Sequence, residues 1–245
     1  MIDAAFETFR YHKPLPNFYN TENPQNPKRE ISDDLLCQLN ELAEKYDFTG
    51  ISYSKLSDEF KKDFSIDIDN VLIFKFLIGE ELIKMEPSRE KGKLMDDEFQ
   101  EYGIHVYEFA DFLRQNGFQA DLIHPLDDSL SLRAIALQSN ECVITRSNMC
   151  YFKDGLNNSF FMIHTSIDNL PFKTENDMMW VSDFCSTCGM CIERCPENAF
   201  DENEKLLRKV CTAHREGCNE CILRCPFFKR GYDKVKKRYD RMVKK

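Results

Sequence analysis

Eight cysteines between Cys185 and Cys225 are the residues of this sequence whose spacing points most directly to chemistry. The first run, from Cys185 to Pro196, reads Cys-x2-Cys-x2-Cys-x3-Cys-Pro. Gaps of two residues wrap a chain around one corner of a cubane, so that three thiolates reach three irons of one [4Fe–4S] cluster. The fourth thiolate emerges about one helical turn later and points away, and the proline redirects the chain.

A second run of cysteines, from Cys211 to Pro226, ends in the same Cys-x2-Cys-x3-Cys-Pro pattern, with its first cysteine set further back. In ferredoxins that hold two clusters, the fourth cysteine of a run ligates the other cluster. Applied to this sequence, the rule predicts two crossed ligand sets for two [4Fe–4S] clusters. The ligands of the first cluster are Cys185, Cys188, Cys191 and Cys225, and those of the second are Cys195, Cys211, Cys218 and Cys221.

Zinc and disulfide bonds are the alternatives to iron–sulfur clusters. Zinc sites usually contain two separated Cys-x2-Cys pairs or mixtures of cysteine and histidine, and disulfides are rare in the cytosol.

The sequence begins without the features of a signal peptide. Its most apolar run, Val71 to Ile78, is interrupted by Lys75 and is too short to cross a bilayer. A cytoplasmic protein without membrane association is therefore expected.

Three further cysteines and one histidine carry weaker signals. Cys37, Cys142 and Cys150 are scattered along the chain, and isolated cysteines are most often small buried apolar side chains. His214 lies in the loop 211–218, where it could couple a proton to cluster reduction or simply be solvated. We expect the three cysteines to be buried and His214 to be solvated.

Charge is distributed unevenly along the 245 residues. The net charge is −9, yet the segment 227–245 contains nine Lys or Arg and two Asp, a net of +7, which leaves −16 for the rest. Residues 231–245 predict a basic C-terminal helix. Its apolar stripe consists of Tyr232, Val235, Tyr239 and Met242. Such a helix could dock an acidic electron carrier, contact an RNA backbone, or pack its stripe on the protein and leave its lysines in solvent.

The rest of the sequence predicts alternating helices and strands. Residues 1–30 contain four prolines and predict an extended N-terminal arm, and residues 31–175 predict an α/β domain. Its helices are expected near 32–43, 97–116 and 131–138, and its strands near 48–53, 71–78, 118–123 and 160–167. Residues 176–230 then form a ferredoxin-like domain with two clusters, so the fold class is α+β.

The order of these parts resembles the family of the epoxyqueuosine reductases and the related reductive dehalogenases, which are double-cluster [4Fe–4S] proteins. The resemblance covers most of the chain, and the cysteine region with its set-back Cys211 is the most specific match. The other matching segments are Asp47–Tyr53, Val71–Ile78, Glu86–Ser88, Glu101–Gly103 and Gly117–Pro125. The resemblance implies a nitroreductase-like N-terminal domain that binds cobalamin facing a cluster, with electrons passing through the clusters to cobalt and on to a substrate.

One segment departs from the family pattern. The family carries a glycine-rich stretch, A-G-L-G-W-x-G-[KR]-[NH]-G, along the cofactor region, whereas residues 138–147 of this chain contain no glycine. Glycine lets a backbone approach a ligand closely, and Glu141 and Ile144 are expected to fill that space. The missing glycines therefore argue against cobalamin bound in the family's manner, although cobalamin stays a candidate cofactor, and no residue matches a catalytic acid.

Two functions of different classes follow. The first is an electron-transfer protein, or the electron-carrying subunit of a reductase, that uses two [4Fe–4S] clusters and a redox partner protein. The alternative is a self-contained reductase that uses cobalamin or another cofactor in the α/β domain. A tRNA-associated protein is a third interpretation, which rests on the basic helix and the family resemblance alone.

Overall fold

The protein is described by a computed structural model over residues 18–64, 69–123 and 131–243. Several sequence predictions fall outside these ranges. They are the first 17 residues of the arm, His124 and Pro125 of the segment that resembles the family, and the last two lysines of the basic helix.

Helices and strands alternate in the first part of the chain, and short helices follow in the cysteine region. The first part contains α1 Asp33–Lys45, β1 Gly50–Lys55, α2 Asp58–Phe64, β2 Asn70–Leu77, α3 Glu80–Lys84, α4 Arg89–Gln115, β3 Ala120–Ile123, α5 Leu132–Leu137, β4 Cys142–Ile144, β5 Cys150–Phe152 and β6 Asn158–Thr165. The second part contains α6 Trp180–Cys188, α7 Met190–Glu193, α8 Ala213–Glu216, α9 Glu220–Arg224, α10 Pro226–Arg230 and α11 Tyr232–Val243. This mixture confirms the α+β class.

The central sheet has four antiparallel strands in the order β1-β2-β6-β3. Strand β2 lies inside the sheet and is buried along nearly its whole length, which explains its continuous apolar sequence. On one face, Phe74 stacks on Phe109 of α4 with ring centres 4.6 Å apart. On the other face, Ile73 packs with α5 and with a hairpin formed by β4 and β5. The sheet is therefore covered by apolar side chains on both sides.

Lys75 interrupts the apolar run of β2 without breaking the core. Its ammonium group forms an ion pair with Asp154 at 2.9 Å, and only 9% of its side chain is exposed. A buried charge costs free energy unless it is paired, so Asp154 is what allows this lysine to lie in the sheet.

The β4–β5 hairpin was not anticipated from the sequence. Its strands are only three residues long, too short to show a clear alternating pattern. The turn between them is closed by a hydrogen bond from the Thr145 amide to the Met149 carbonyl, at 2.9 Å. Asn148 takes the left-handed conformation there, with φ of 62°, which asparagine tolerates better than most residues. This turn points the segment 145–147 toward the cysteine region.

The cysteine region shares its hydrophobic core with the α/β part of the chain. Tyr151 of β5 packs on Phe227 of α10 with ring centres 4.7 Å apart. Trp180 of α6 lies 5.7 Å from the same Phe227 ring. Because these contacts are buried, the two parts of the chain are held together by apolar packing. Within the described residues, no helix is both long and apolar enough to cross a membrane.

Candidate metal centre

The first predicted set of cysteines surrounds one cavity. Its lining includes Cys185, Cys188, Cys191 and Cys225. Three of these thiols come from α6 and α7, whereas Cys225 comes from the junction of α9 and α10. The structure thus brings together four cysteines that the sequence assigned to one cluster.

The local backbone explains why three of these thiols converge. Helix α6 ends at Cys188 and is followed by Gly189 in the left-handed conformation, with φ of 63°. Helix α7 starts again at Met190 and carries Cys191. A glycine at this reversal avoids the steric cost that a side chain pays at positive φ. The two-residue gaps therefore fold the chain into a tight corner around the cavity.

The thiols of the first set are electrostatically close to one another. Burial is the main cause that raises the pKa of Cys185 to about 11, and the charges of Cys191 and Cys188 contribute to the rise. Burial likewise raises the pKa of Cys225 to about 12, with contributions from the charges of Cys185 and Cys188. Buried neighbouring thiolates repel one another, and coordination to a cation is the usual way to stabilise them. The set is suited to hold a group of positively charged metal ions.

Members of the second predicted set influence one another electrostatically. Burial raises the pKa of Cys211, and the nearby charges of Cys218 and Cys195 raise it too. Burial raises the pKa of Cys221 to about 12, with further contributions from Cys191, Cys211 and Cys218. Cys211 therefore lies near Cys195 and Cys218, and Cys221 lies near thiols of both sets. The proximity of Cys191 to Cys221 places the two groups side by side.

In the three described ranges, no group of three or more His, Cys, Asp or Glu residues is placed closely enough to hold a single metal ion. A [4Fe–4S] cluster binds one thiolate at each of its four irons, whereas a tetrahedral zinc ion binds all four ligands itself. Iron and zinc analysis of the protein distinguishes the two.

Arg146 is the residue of the unpredicted hairpin that lies over the first thiol set. One nitrogen of its guanidinium group donates to the carbonyls of Cys185 and Ser186, at 3.2 and 3.1 Å. The group also forms an ion pair with Glu204. Arginine can make several directed hydrogen bonds with one planar group, so it ties the hairpin to the end of α6 and places a positive charge beside the thiols.

The two residues that were expected to fill the glycine-rich space have other contacts in the structure. The Glu141 carboxylate accepts a hydrogen bond from the Ser52 hydroxyl at 2.9 Å. Ile144 packs in the apolar cluster on the far face of the sheet. Neither lines the cavity of the first thiol set, and their expected role in the cofactor space stays a prediction. Arg146 from the same segment takes the place beside the thiols.

Lys91 is a buried cation beside the second thiol set. Its side chain is fully buried near the start of α4, and its ammonium group donates to the carbonyls of Ile83 and Met85, at 2.9 and 2.6 Å. Burial lowers its pKa, and the charge of Cys218 is the largest influence in the opposite direction. The buried position of Lys91 was not predicted from the sequence, because a lysine in a polar first turn is normally solvated.

The first turn of α4 fits closely against the loop between Cys211 and Cys218. The amide of Ser88 donates to the carbonyl of Glu216 at 2.8 Å. A Cβ added at Gly92 would lie only 2.8 Å from the Arg215 carbonyl oxygen. Glycine is therefore needed at position 92 for the helix to approach the loop.

We expect Gly92→Ala to lower the free energy of unfolding by about 1–3 kcal/mol, because the methyl group overlaps backbone atoms that cannot move aside easily. Thermal unfolding of the purified protein measures this. Gly79→Ala is a matched control, since a Cβ there meets only Glu98 Oε1 at 3.8 Å. Equal stability of the two variants would show that the contact between α4 and the loop is loose.

The remaining sequence predictions have mixed outcomes. Cys142 and Cys150 are buried in the hairpin, as expected, but Cys37 is exposed on α1. The prediction for Cys37 was wrong because position 37 does not lie on the apolar face of α1. The buried residues of that helix are Leu39 and Ala43. His214 is exposed on α8, in agreement with a solvated position.

Comparisons with known proteins connect this geometry to solved structures. No protein-family model and no curated protein sequence matches the chain. A catabolic reductive dehalogenase matches with a TM-score of 0.66 and 14% identity, over 96% of this chain and 38% of that one. An epoxyqueuosine reductase matches with a TM-score of 0.55 and 14% identity, over 81% of this chain and 66% of that one. The enzyme of Bacillus subtilis gives a TM-score of 0.51 at 13% identity.

The fold is the one that these reductases share. The similarity supports the family resemblance seen in the sequence, although at this identity it establishes the fold alone. This chain spans only 38% of the dehalogenase and 66% of the epoxyqueuosine reductase. What those enzymes act on therefore enters only as a proposal.

Proposed function

We propose that this chain is an iron–sulfur electron-transfer protein, or the electron-carrying subunit of a reductase, with two [4Fe–4S] clusters. The observation that carries the proposal is that thiols from the two cysteine runs lie beside each other in a crossed manner. Cys225 joins the group of Cys185, while Cys195 joins the group of Cys211. This is the arrangement of ferredoxins that hold two clusters, and no simpler metal site requires it.

The residues fit the clusters in number, chemistry and position. Cys185, Cys188, Cys191 and Cys225 would hold the first cluster, and Cys195, Cys211, Cys218 and Cys221 the second. The clusters would supply one-electron redox chemistry, and the proximity of Cys191 and Cys221 would make a short path between them. In this proposal residues 31–175 form a nitroreductase-like domain and residues 176–230 a ferredoxin-like domain.

Iron and acid-labile sulfide in protein purified without oxygen test the proposal. Two four-iron clusters require about eight of each per chain, and we expect that result. Four or fewer of each would contradict the two-cluster proposal. Stoichiometric zinc in place of iron would overturn it in favour of a structural site.

Cobalamin-dependent reduction is the second candidate, and one comparison favours it. A reductive dehalogenase structure associated with B12-dependent dehalogenation matches 96% of this chain, with a TM-score of 0.65 and 14% identity. The residues present do not fit a corrinoid held as in the family, because residues 138–147 lack the glycines of the family's stretch and Arg146 of this segment lies beside the first thiol set. We therefore expect hydroxocobalamin to elute separately from the protein on gel filtration. Stable stoichiometric binding would favour this second candidate.

The basic C-terminal helix is the proposed docking surface for an acidic redox partner. Its apolar stripe packs on the protein, where Tyr232 and Tyr239 lie 5.3 and 5.2 Å from the Trp180 ring. Val235 is buried beside them, whereas Met242 at the end of the stripe is half exposed. Because the stripe faces inward, the lysines and arginines face solvent and can attract an acidic surface. An RNA backbone is the other partner with suitable charge.

A further inference from the structure

A second and larger cavity lies next to the first thiol set. It has a volume of about 340 Å³ and opens between the end of β2, the loop that joins β5 to β6, and helices α10 and α11. Sites for small organic ligands usually have volumes of about 300–1,000 Å³. The cavity, which we call the aromatic cleft, is therefore large enough for a small molecule.

Two aromatic side chains separate the aromatic cleft from the first thiol set. Phe227 lines both cavities. Tyr151 lines the cleft, and its pKa is raised by burial and then by the charges of Cys225 and Cys185. The Tyr151 and Phe227 rings are 4.7 Å apart. A ligand in the cleft would thus be one layer of aromatic side chains away from the thiols that we assign to the first cluster.

The lining of the cleft favours a flat ring that carries carbonyl oxygens. Phe228 and Tyr232 supply further aromatic surface, on which planar rings stack. The Lys153 ammonium lies 5.4 Å from the centre of the Tyr232 ring and donates to Asp177 at 2.5 Å. An ammonium group has three donors, so two remain that can reach a carbonyl oxygen of a ligand. The two carboxylates of the lining are already paired, Asp154 with Lys75 and Glu80 with Lys84.

We propose that the aromatic cleft binds a small quinone-type ring, which exchanges electrons with the first cluster across Tyr151 and Phe227. This inference rests on the proposed function, since it requires the clusters. Full reduction of the ring takes two electrons, one from each cluster, and two protons from solvent, while each cluster is oxidised by one electron. The reduced redox partner of the proposed function returns both electrons.

Binding of menadione, a small quinone, tests the proposal by calorimetry on the oxidised protein with its clusters loaded. Gly79 lines the cleft, and a Cβ there meets only Glu98 Oε1 at 3.8 Å. We expect Gly79→Leu to obstruct the cleft and raise the Kd at least about tenfold, while Gly79→Ala changes it by less than about twofold. Unchanged affinity in Gly79→Leu, or no binding by the unaltered protein, would overturn the proposal.

Lys153→Met tests the polar contact separately. Loss of one charged hydrogen bond is expected to raise the Kd about tenfold. Lys61→Met is the matched control, because Lys61 also forms a surface ion pair, with Asp69 at 2.6 Å, and does not line the cleft. Equal affinities of the two lysine variants would rule out Lys153 as the donor and with it the carbonyl-bearing ligand.

Iron content separates this proposal from the one on which it rests. Each protein sample is assayed for iron and sulfide before the titration. An iron and sulfide content too low for two clusters would contradict the proposed function itself. If the samples contain both clusters but the cleft variants bind menadione as tightly as the unaltered protein, only the assignment of the cleft is contradicted. The rate at which menadione reoxidises the reduced clusters gives a second readout, and it should fall with the affinity in Gly79→Leu.

Discussion

Replacement of Cys188 and Cys225 together by alanine is expected to remove no more iron than either replacement alone, about four atoms per chain. Both thiols line the same cavity, so both changes affect one cluster. Replacement of Cys221 and Cys225 together is expected to remove all of the iron, about eight atoms, although these two residues are close in sequence. The comparison of the two double variants thus reports which thiols share a cluster without requiring the clusters to be told apart by spectroscopy.

Iron analysis and electron paramagnetic resonance of the reduced proteins provide the measurement. Cys37→Ala is the control, because Cys37 is exposed and far from both thiol sets in sequence, and it should keep the full iron content. If each run of cysteines held its own cluster, the outcomes of the two double variants would be exchanged. That exchange would refute the crossed assignment while leaving two clusters in place.

Lys91→Met is expected to lower the reduction potential of the second cluster by on the order of 100 mV. Lys91 is fully buried beside Cys218, so its charge is poorly screened by solvent and salt. A positive charge favours the added electron, and its removal disfavours it. A unit charge several ångströms away in a medium of effective dielectric constant near 20 contributes about 2–3 kcal/mol, which corresponds to that shift for one electron.

A potentiometric titration followed by electron paramagnetic resonance measures both clusters in one sample. Lys93→Met is the matched control, because Lys93 is exposed on the same helix and its charge is screened by water. We expect the potential of the first cluster to change much less than that of the second in Lys91→Met. A uniform shift of both clusters, or the same shift in Lys93→Met, would contradict a local effect of the buried cation.

The helices and strands show which parts of the secondary structure could be predicted from local sequence patterns. The strand near 71–78 was predicted within one residue of β2, which covers Asn70–Leu77, because a continuous apolar run of that length is typical of a buried strand. The long helix was predicted from residue 97, yet α4 begins at Arg89. Its first turns are polar in sequence, so they show no apolar periodicity. They are stabilised instead by Ser88, whose hydroxyl caps the Lys91 amide at 3.0 Å, and by the loop against which they pack.

The sequence by itself identified the eight thiols and predicted their division into two groups of four, because cluster ligation follows short spacings in the chain. Only the tertiary structure decided which other residues surround them. Arg146 reaches Cys185 from a hairpin that is distant in sequence, and Lys91 reaches the second group from a helix. The aromatic cleft likewise exists only where β2, the hairpin and α10 meet. Such contacts depend on how separate segments pack, and no local pattern of residues records that packing.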